Sequence, residues 1–437
     1  MKPADLQRQF FEMLMESQYW SPAALIDYQR SQLAQLLRHA RKHVPFYERR
    51  LDPVFTATGD IDWDRWHEIP IVTRADMADH REAMLARELP PGHGATGTVE
   101  TSGSTGRPIR ITTNRLTAIA ANANRWRAHR TYELDWSRTY TARDGYAVAA
   151  EWPHGQPLGP WGPGWDAHGA RGTSYRISRA TGVEQMLEFI ERTDSAYLST
   201  GPKILHVYAL EAERLGLEVR LACVLTHGEG ANAADRAAVK RVFGAAMMET
   251  YSSKEAGQIG YPCRLGHGLH VNAESVFVEI VDEQGRAVGP GQSGRIVVTP
   301  FVSTAQPLIR YAQGDLARAG GSCLCGRSLP MIGAVEGRTT AIFVHPDGRS
   351  VSRMLNESGR DLLRCTFWQI AQVGPLDFEL RYVPSDWDAP GDEAAAEALF
   401  RSTFFPDSRL RFCRVREIPL TPGGKFLEYV NEWATGR

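Results

Sequence analysis

The chain has 437 residues, 43% of them hydrophobic, enough to bury a large core in roughly two or three structural units. Its 50 Lys+Arg nearly balance its 51 Asp+Glu, which argues against a protein built to hold nucleic acid or an anionic membrane surface. No apolar run approaches the ~20 residues of a membrane span, the N-terminus lacks the apolar stretch of a signal peptide, and six cysteines are too sparse for a disulfide scaffold, so a reducing cytoplasmic location is expected.

The first forty-odd residues read as helix. Leu33, Leu36, Leu37, Ala40 and Val44 recur at three- and four-residue spacing and mark one buried face, which ends at Pro45. Thr73 is a candidate N-cap for a short helix that follows it. From about 97 to 300, short apolar runs alternate with helical patterns: Ala196–Leu198 before a helix at 203–214, and 221–225 before a helix at 232–243. That alternation predicts an α/β sheet. Beyond 270 the pattern turns β-rich, with strands at 276–280 and 294–299 joined by a polar turn. The tail predicts a small α+β module: a strand at 377–383, a helix at 391–402 and a strand at 410–416. The boundary falls at Gly337-Arg338, giving domains 1–336 and 337–437.

The stretch Thr101-Ser102-Gly103-Ser104-Thr105-Gly106-Arg107-Pro108 carries the strongest functional signal. Its glycines let backbone N–H groups converge on an anion, and its hydroxyls can donate to phosphate oxygens. Val99 before it and Ile109 and Ile111 after it read as strand, so the loop joins two strands. It lacks the Gly-Lys-Ser/Thr ending and following helix of a Walker A loop. Alone, it is also the composition of an ordinary surface turn. A Gly/Pro-rich stretch from Trp152 to Trp165 could wall a pocket for a flat substrate or simply pack.

Several separated segments share order and spacing with one family. Leu33 through Tyr47, Ile69 through Asp76 and the 101–108 loop resemble phenylacetate–CoA ligase and its relatives in the adenylate-forming superfamily, along nearly the whole chain. The resemblance implies a large N-terminal α/β domain with a β-rich portion and a small mobile α+β C-terminal domain. It also implies a chemistry. A carboxylate attacks the α-phosphate of ATP, pyrophosphate leaves, and the acyl adenylate passes its acyl group to a thiol, most often CoA. Such a reaction is served mainly by positioning and charge stabilisation.

The same resemblance assigns roles. Thr101, Ser102, Gly103, Ser104, Thr105, Gly106 and Arg107 would hold the β- and γ-phosphates. Tyr251-Ser252-Ser253-Lys254-Glu255 is similar to the family's Y-G-x-T-E segment: Tyr251 packs on adenine, Ser252 or Ser253 reaches a phosphate, and Glu255 helps bind Mg²⁺. Ser252 and Lys254 depart from the usual Gly and Thr. Gly228 and Glu229 resemble the G-G-E adenine loop, with His227 in place of a glycine. Asp315 sits in a segment similar to R-Y-R-T-G-D, departing at Ala312 and Gln313, and would accept from both ribose hydroxyls. Arg338 resembles the hinge arginine that contacts ribose or phosphate, although the hinge aspartates are replaced by Thr339, Thr340 and Ala341. Lys425, on a Gly-Gly turn, resembles the catalytic lysine that bridges carboxylate and α-phosphate.

Cys263, His270, Cys323 and Cys325 form a candidate zinc set, with His267 as the competing imidazole. Its role would be structural, clipping 261–270 to 321–327. Cys223, Cys365 and Cys413 read as core. The leading function is therefore an ATP-dependent ligase for an aryl or arylacetic acid, acting as a monomer or homodimer. An amide-forming or carrier-protein-loading ligase is the first alternative, and a non-catalytic nucleotide-binding protein on the same fold the second.

Overall fold

A computed structural model describes residues 3–100, 109–144, 155–165, 171–178, 181–228, 230–338, 343–347, 350–351, 362–389, 391–419 and 427–435. The chain divides into two compact units. One comprises 1–138, 159–173 and 248–336, the other 139–158, 174–247 and 337–437.

The first unit begins with helices Pro3–Ser17 and Pro22–His43. Ser21 caps the second by accepting from the N–H of Ala24, proline occupies its first turn, and three basic residues end it. Its expected apolar face is in place: Leu33, Leu36, Leu37, Ala40 and Val44 are all buried. Thr73 caps Arg74–Asp79 through a reciprocal capping box with Asp76. The strands Thr96–Glu100 and Arg110–Asn114 pair antiparallel, so the phosphate-loop candidate does leave and re-enter one hairpin. The helix Arg115–Thr131 follows directly, capped by Asn114.

A seven-stranded sheet runs in the order 276–281, 293–300, 311–319, 331–338, 269–271, 257–262, 251–253. Val72 adds beside its third strand: the N–H of Val72 donates to Arg310 O at 2.9 Å, and the N–H of Ala312 to Val72 O at 2.9 Å. That pairing delivers the start of helix Arg74–Asp79 to the sheet. Trp161 is buried and its Nε1 donates to Arg138 O at 2.6 Å. Trp165 lies edge-on to Trp126 at 4.9 Å. Trp152 lies outside the described residues.

The second unit contains a mostly parallel sheet in the order 156–160, 173–178, 139–144, 195–200, 223–226, 246–249. Helices Val183–Arg192, Pro202–Leu215 and Ala233–Phe243 cover it, burying Leu187, Ile190, Leu205, Val239 and Phe243 against Leu198 and Val224. Strands 195–200 and 223–226 are buried along almost their whole length, as central strands of a parallel sheet are. The tail has a core of its own. Strands 409–414, 377–384, 365–372 and 429–431 form a sheet, and helix Glu393–Thr403, capped by Asp392, packs Phe400 against Phe378 and Leu380. Cys223 and Cys365 are buried as expected; Cys413 is only half-buried, because its strand lies at the sheet edge.

Candidate nucleotide and metal sites

The segment 251–255 reaches three other parts of the first unit. Tyr251–Ser253 is a strand paired with 257–262, and the turn between them is tight: the N–H of Ala256 donates to Ser253 Oγ at 3.0 Å, and Gly257 has φ +69°. Tyr251 Oη donates to Asp315 Oδ2 at 2.7 Å. Lys254 Nζ donates to Glu100 O at 2.6 Å, at the base of the 96–114 hairpin. Glu255, whose side chain is 11% exposed, lies 3.9 Å from Arg74 Nη1.

Asp315 owes its placement to an irregular strand. Arg295 pairs with Leu316 but Val297 with Ala312, so one strand advances two residues while the other advances four. Gln313, Gly314 and Asp315 bulge across that gap, and Gly314 takes φ +77°. A carboxylate offers about four acceptor sites, so the bond from Tyr251 leaves Asp315 able to receive further donors.

Thus Tyr251 meets Asp315, and the turn that follows Tyr251 carries Glu255 and is bonded to the base of the 96–114 hairpin, all within one unit. Ser252 and Ser253 lie on the same edge strand, where Ser253 already serves the turn. Gly228, in the other unit, follows strand Cys223–Thr226 with φ +87°, a conformation that favours glycine. Residues 101–107, Glu229 and Lys425 lie outside the described residues, as does the side chain of Arg338, whose backbone ends strand 331–338.

The cysteine and histidine candidates converge. One ligand atom each from Cys263, His270, Cys323 and Cys325 lies within 4.8 Å of all the others. Cys263 Sγ is 3.4 Å from Cys323 Sγ, and Cys325 Sγ is 3.2 Å from His270 Nε2. Bonds of ~2.3 Å to sulfur and ~2.0 Å to nitrogen in a tetrahedron put such atoms roughly 3.5–3.8 Å apart, so the set fits zinc. Cys263 sits at a knuckle where its N–H donates to Gly268 O at 2.8 Å. Gly268 has φ +114°, and a Cβ there would strike the carbonyl of Ile332. His270 is then carried inward on a strand paired with 331–332. His267 remains exposed beside Cys323, its Nδ1 3.5 Å from Sγ, and is outside the four.

Burial, with Arg327 and Arg127 nearby, pulls the His270 pKa down to about 4, so it is neutral, and able to ligate, at pH 7. Burial works against ionisation of Cys325, but the backbone and side chain of Arg327 and the neighbouring thiols outweigh it and hold that thiol below its ordinary value. Arg327 also donates from Nε to Gln18 Oε1 at 2.7 Å, and the N–H of Ser328 donates to Gln18 O at 2.9 Å. The cluster is thereby tied to the corner between the two N-terminal helices.

Three buried ion pairs escaped the sequence reading. Arg127 and Glu274, both fully buried, meet at 2.7 and 2.9 Å. Arg310 pairs with Glu279 and three backbone carbonyls. In the second unit, Lys203 Nζ lies 2.9 Å from Asp235 and 2.8 Å from Glu428, linking helix Pro202–Leu215 to the segment just after Lys425. A lysine at the start of a helix, three residues before a histidine, carries no pattern that announces such a role.

No protein-family model matches the chain. It is 25% identical over 331 residues to the phenylacetate-coenzyme A ligase of Thermus thermophilus, covering 72% of this chain and 71% of that one. A crystal structure of 2-hydroxyisobutyryl-CoA ligase, in a postadenylation state with an acyl-AMP, superposes with a TM-score of 0.74 at 18% identity, covering 96% of this chain and 93% of that one. An amide bond synthetase from Marinactinospora thermotolerans superposes with a TM-score of 0.51 at 17% identity, covering 91% and 92%. The fold is that of the adenylate-forming ligases. By sequence the chain is similar to a phenylacetate-coenzyme A ligase.

Proposed function

We propose that the chain is an ATP-dependent acid–thiol ligase. It joins a small carboxylic acid to AMP, then transfers the acyl group to a thiol, CoA in the leading reading. The observation that carries this is that Tyr251 meets Asp315 while the turn following Tyr251 carries Glu255 and is bonded, through Lys254, to the base of the 96–114 hairpin. In the first step a carboxylate oxygen attacks the α-phosphorus and the bond to the β-phosphate breaks. In the second the thiol sulfur attacks the acyl carbon and AMP leaves.

Asp315 would accept from the ribose hydroxyls, Tyr251 would lie against adenine with Gly228 and Glu229 at the base edge, and residues 101–107 would hold the terminal phosphates. Glu255 supplies a hard oxygen donor and would hold Mg²⁺, which screens the phosphate charge. Lys425, with Arg338, would come from the tail, 337–437. Cys263, His270, Cys323 and Cys325 would hold zinc in a closed structural site, with no ligand position left for chemistry. An aryl or arylacetic substrate is supported by the similarity to a phenylacetate-coenzyme A ligase.

The test is pyrophosphate release across a panel of benzoic, phenylacetic and short hydroxy acids, followed by product analysis with CoA or amines. Acid-dependent pyrophosphate and an acyl-CoA product are expected. Pyrophosphate with an amide but no thioester moves the acceptor to an amine. No acid-dependent release with any member removes the ligase reading. Lys425→Ala should lower adenylation by orders of magnitude while ATP binding persists, which separates catalysis from mere nucleotide binding.

A further inference from the structure

Lys254 stands where the family segment has threonine, and the ligase reading gives it no task. Its ammonium donates to the backbone carbonyl of Glu100 at 2.6 Å. Glu100 is the last residue before the 101–108 stretch and pairs in register with Arg110, the first strand residue after it. The two strands of that hairpin are held very differently. The second buries Ile111 and bonds outward, the N–H of Thr112 donating to Gln306 Oε1 at 2.8 Å and Asn114 Nδ2 to Val302 O at 2.9 Å. The first, Thr96–Glu100, is exposed at every residue, so no core contact locates it. The Lys254 bond ties it to a third segment, and that segment is rigid: a two-strand turn closed at Ser253 and Gly257.

We infer that Lys254 is a positioning residue that clamps the base of the phosphate loop to the turn bearing Glu255. This rests on the ligase reading for the loop's role. The clamp fixes Glu100, the residue from which the 101–108 stretch departs, against the turn that carries Glu255. A charge-assisted bond of this kind is stronger than a neutral one, and arginine can make it where methionine cannot.

The test uses the full-length protein and the variants Lys254→Met and Lys254→Arg. ATP affinity is measured by calorimetry without acid, and amide hydrogen exchange is followed over 96–100 with 269–271 as reference. Lys254→Met should weaken ATP binding about tenfold, ~1.4 kcal/mol, raise KM for ATP with kcat within about twofold, and speed exchange at 96–100 alone. Lys254→Arg should stay within about threefold of the natural protein. Unchanged exchange or unchanged ATP affinity in Lys254→Met overturns the inference, as does an arginine variant no better than methionine. Should the natural protein bind ATP yet activate no acid, the ligase reading fails while the affinity and exchange results still decide the clamp. Should it not bind ATP, the loop's role and the clamp's purpose fall together.

Discussion

Arg310→Met should destabilise the protein by about 4–5 kcal/mol. The guanidinium is buried and all five of its N–H donors are used. Nε and Nη2 donate to the Glu279 carboxylate at 3.2 and 3.1 Å, Nη1 to the carbonyls of His67 and Ile69 at 2.7 and 2.9 Å, and Nη2 to Gly285 O at 2.6 Å. Methionine keeps the stem and loses every donor. Glu279, itself buried, is left without its partner, at a cost of ~3–5 kcal/mol. Its pKa is already raised by burial, so protonation limits that cost near the lower end. The buried carbonyl of Ile69 adds ~1–2 kcal/mol. Arg310 has φ +53°, a strain methionine bears equally, so the comparison isolates the side chain. The assay is urea unfolding followed by tryptophan emission, since Trp66 packs on Phe277 in the same corner at 5.6 Å. Arg310→Met with Glu279→Leu should recover at least half the loss, because no charge is then stranded. A single variant within 1 kcal/mol of the natural protein, or a double variant no better than the single, would refute the reasoning.

Purified protein should carry about one zinc per chain by elemental analysis, and Cys325→Ser should release it and lower the melting temperature by several degrees; a metal-free natural protein of unchanged stability contradicts the site. His129 is buried, and burial, with Arg125 adding to it, lowers its pKa to about 3, against ~6.5 when unfolded. The unfolded chain therefore binds the extra proton between those values, so stability is full above pH 6.5 and falls on acidification toward pH 3. His129→Gln should flatten that slope by up to ~1.4 kcal/mol per pH unit, and parallel curves would exclude it. Asp235 is pulled down to about 2: burial opposes this, but His206, Lys203 and the N–H of Asn232 prevail. Its contribution is present above about pH 4 and lost as pH falls through 2. The stability gap between the natural protein and Asp235→Asn should close over that window; a gap constant with pH would contradict the assignment.

Elements with a clear apolar period were legible beforehand. The helices found at 202–215 and 233–243 lie within a residue of the pattern that predicts them, and the β-rich stretch after 270 is the antiparallel pairing of 276–281 with 293–300. The convergence of Cys263, His270, Cys323 and Cys325 was legible from ligand chemistry together with the family resemblance. The preference for His270 over His267 becomes physical only in the fold, because the pairing of 269–271 with 331–332 buries one imidazole and leaves the other in solvent. Arg310 was hidden for a different reason. Three of its acceptors are backbone carbonyls, which leave no mark in a sequence. Arg127 and Glu274 lie 147 residues apart, beyond any local pattern. The Lys254 contact was likewise invisible, since its acceptor is again a carbonyl.

The central claim is that a carboxylate oxygen becomes bonded to the α-phosphorus of ATP. Supplying an active acid labelled with ¹⁸O in its carboxyl group, together with ATP and CoA, and weighing the released AMP tests it directly. The account predicts AMP carrying one ¹⁸O, with pyrophosphate formed in equal amount. Unlabelled AMP, or ADP and phosphate in its place, would contradict it.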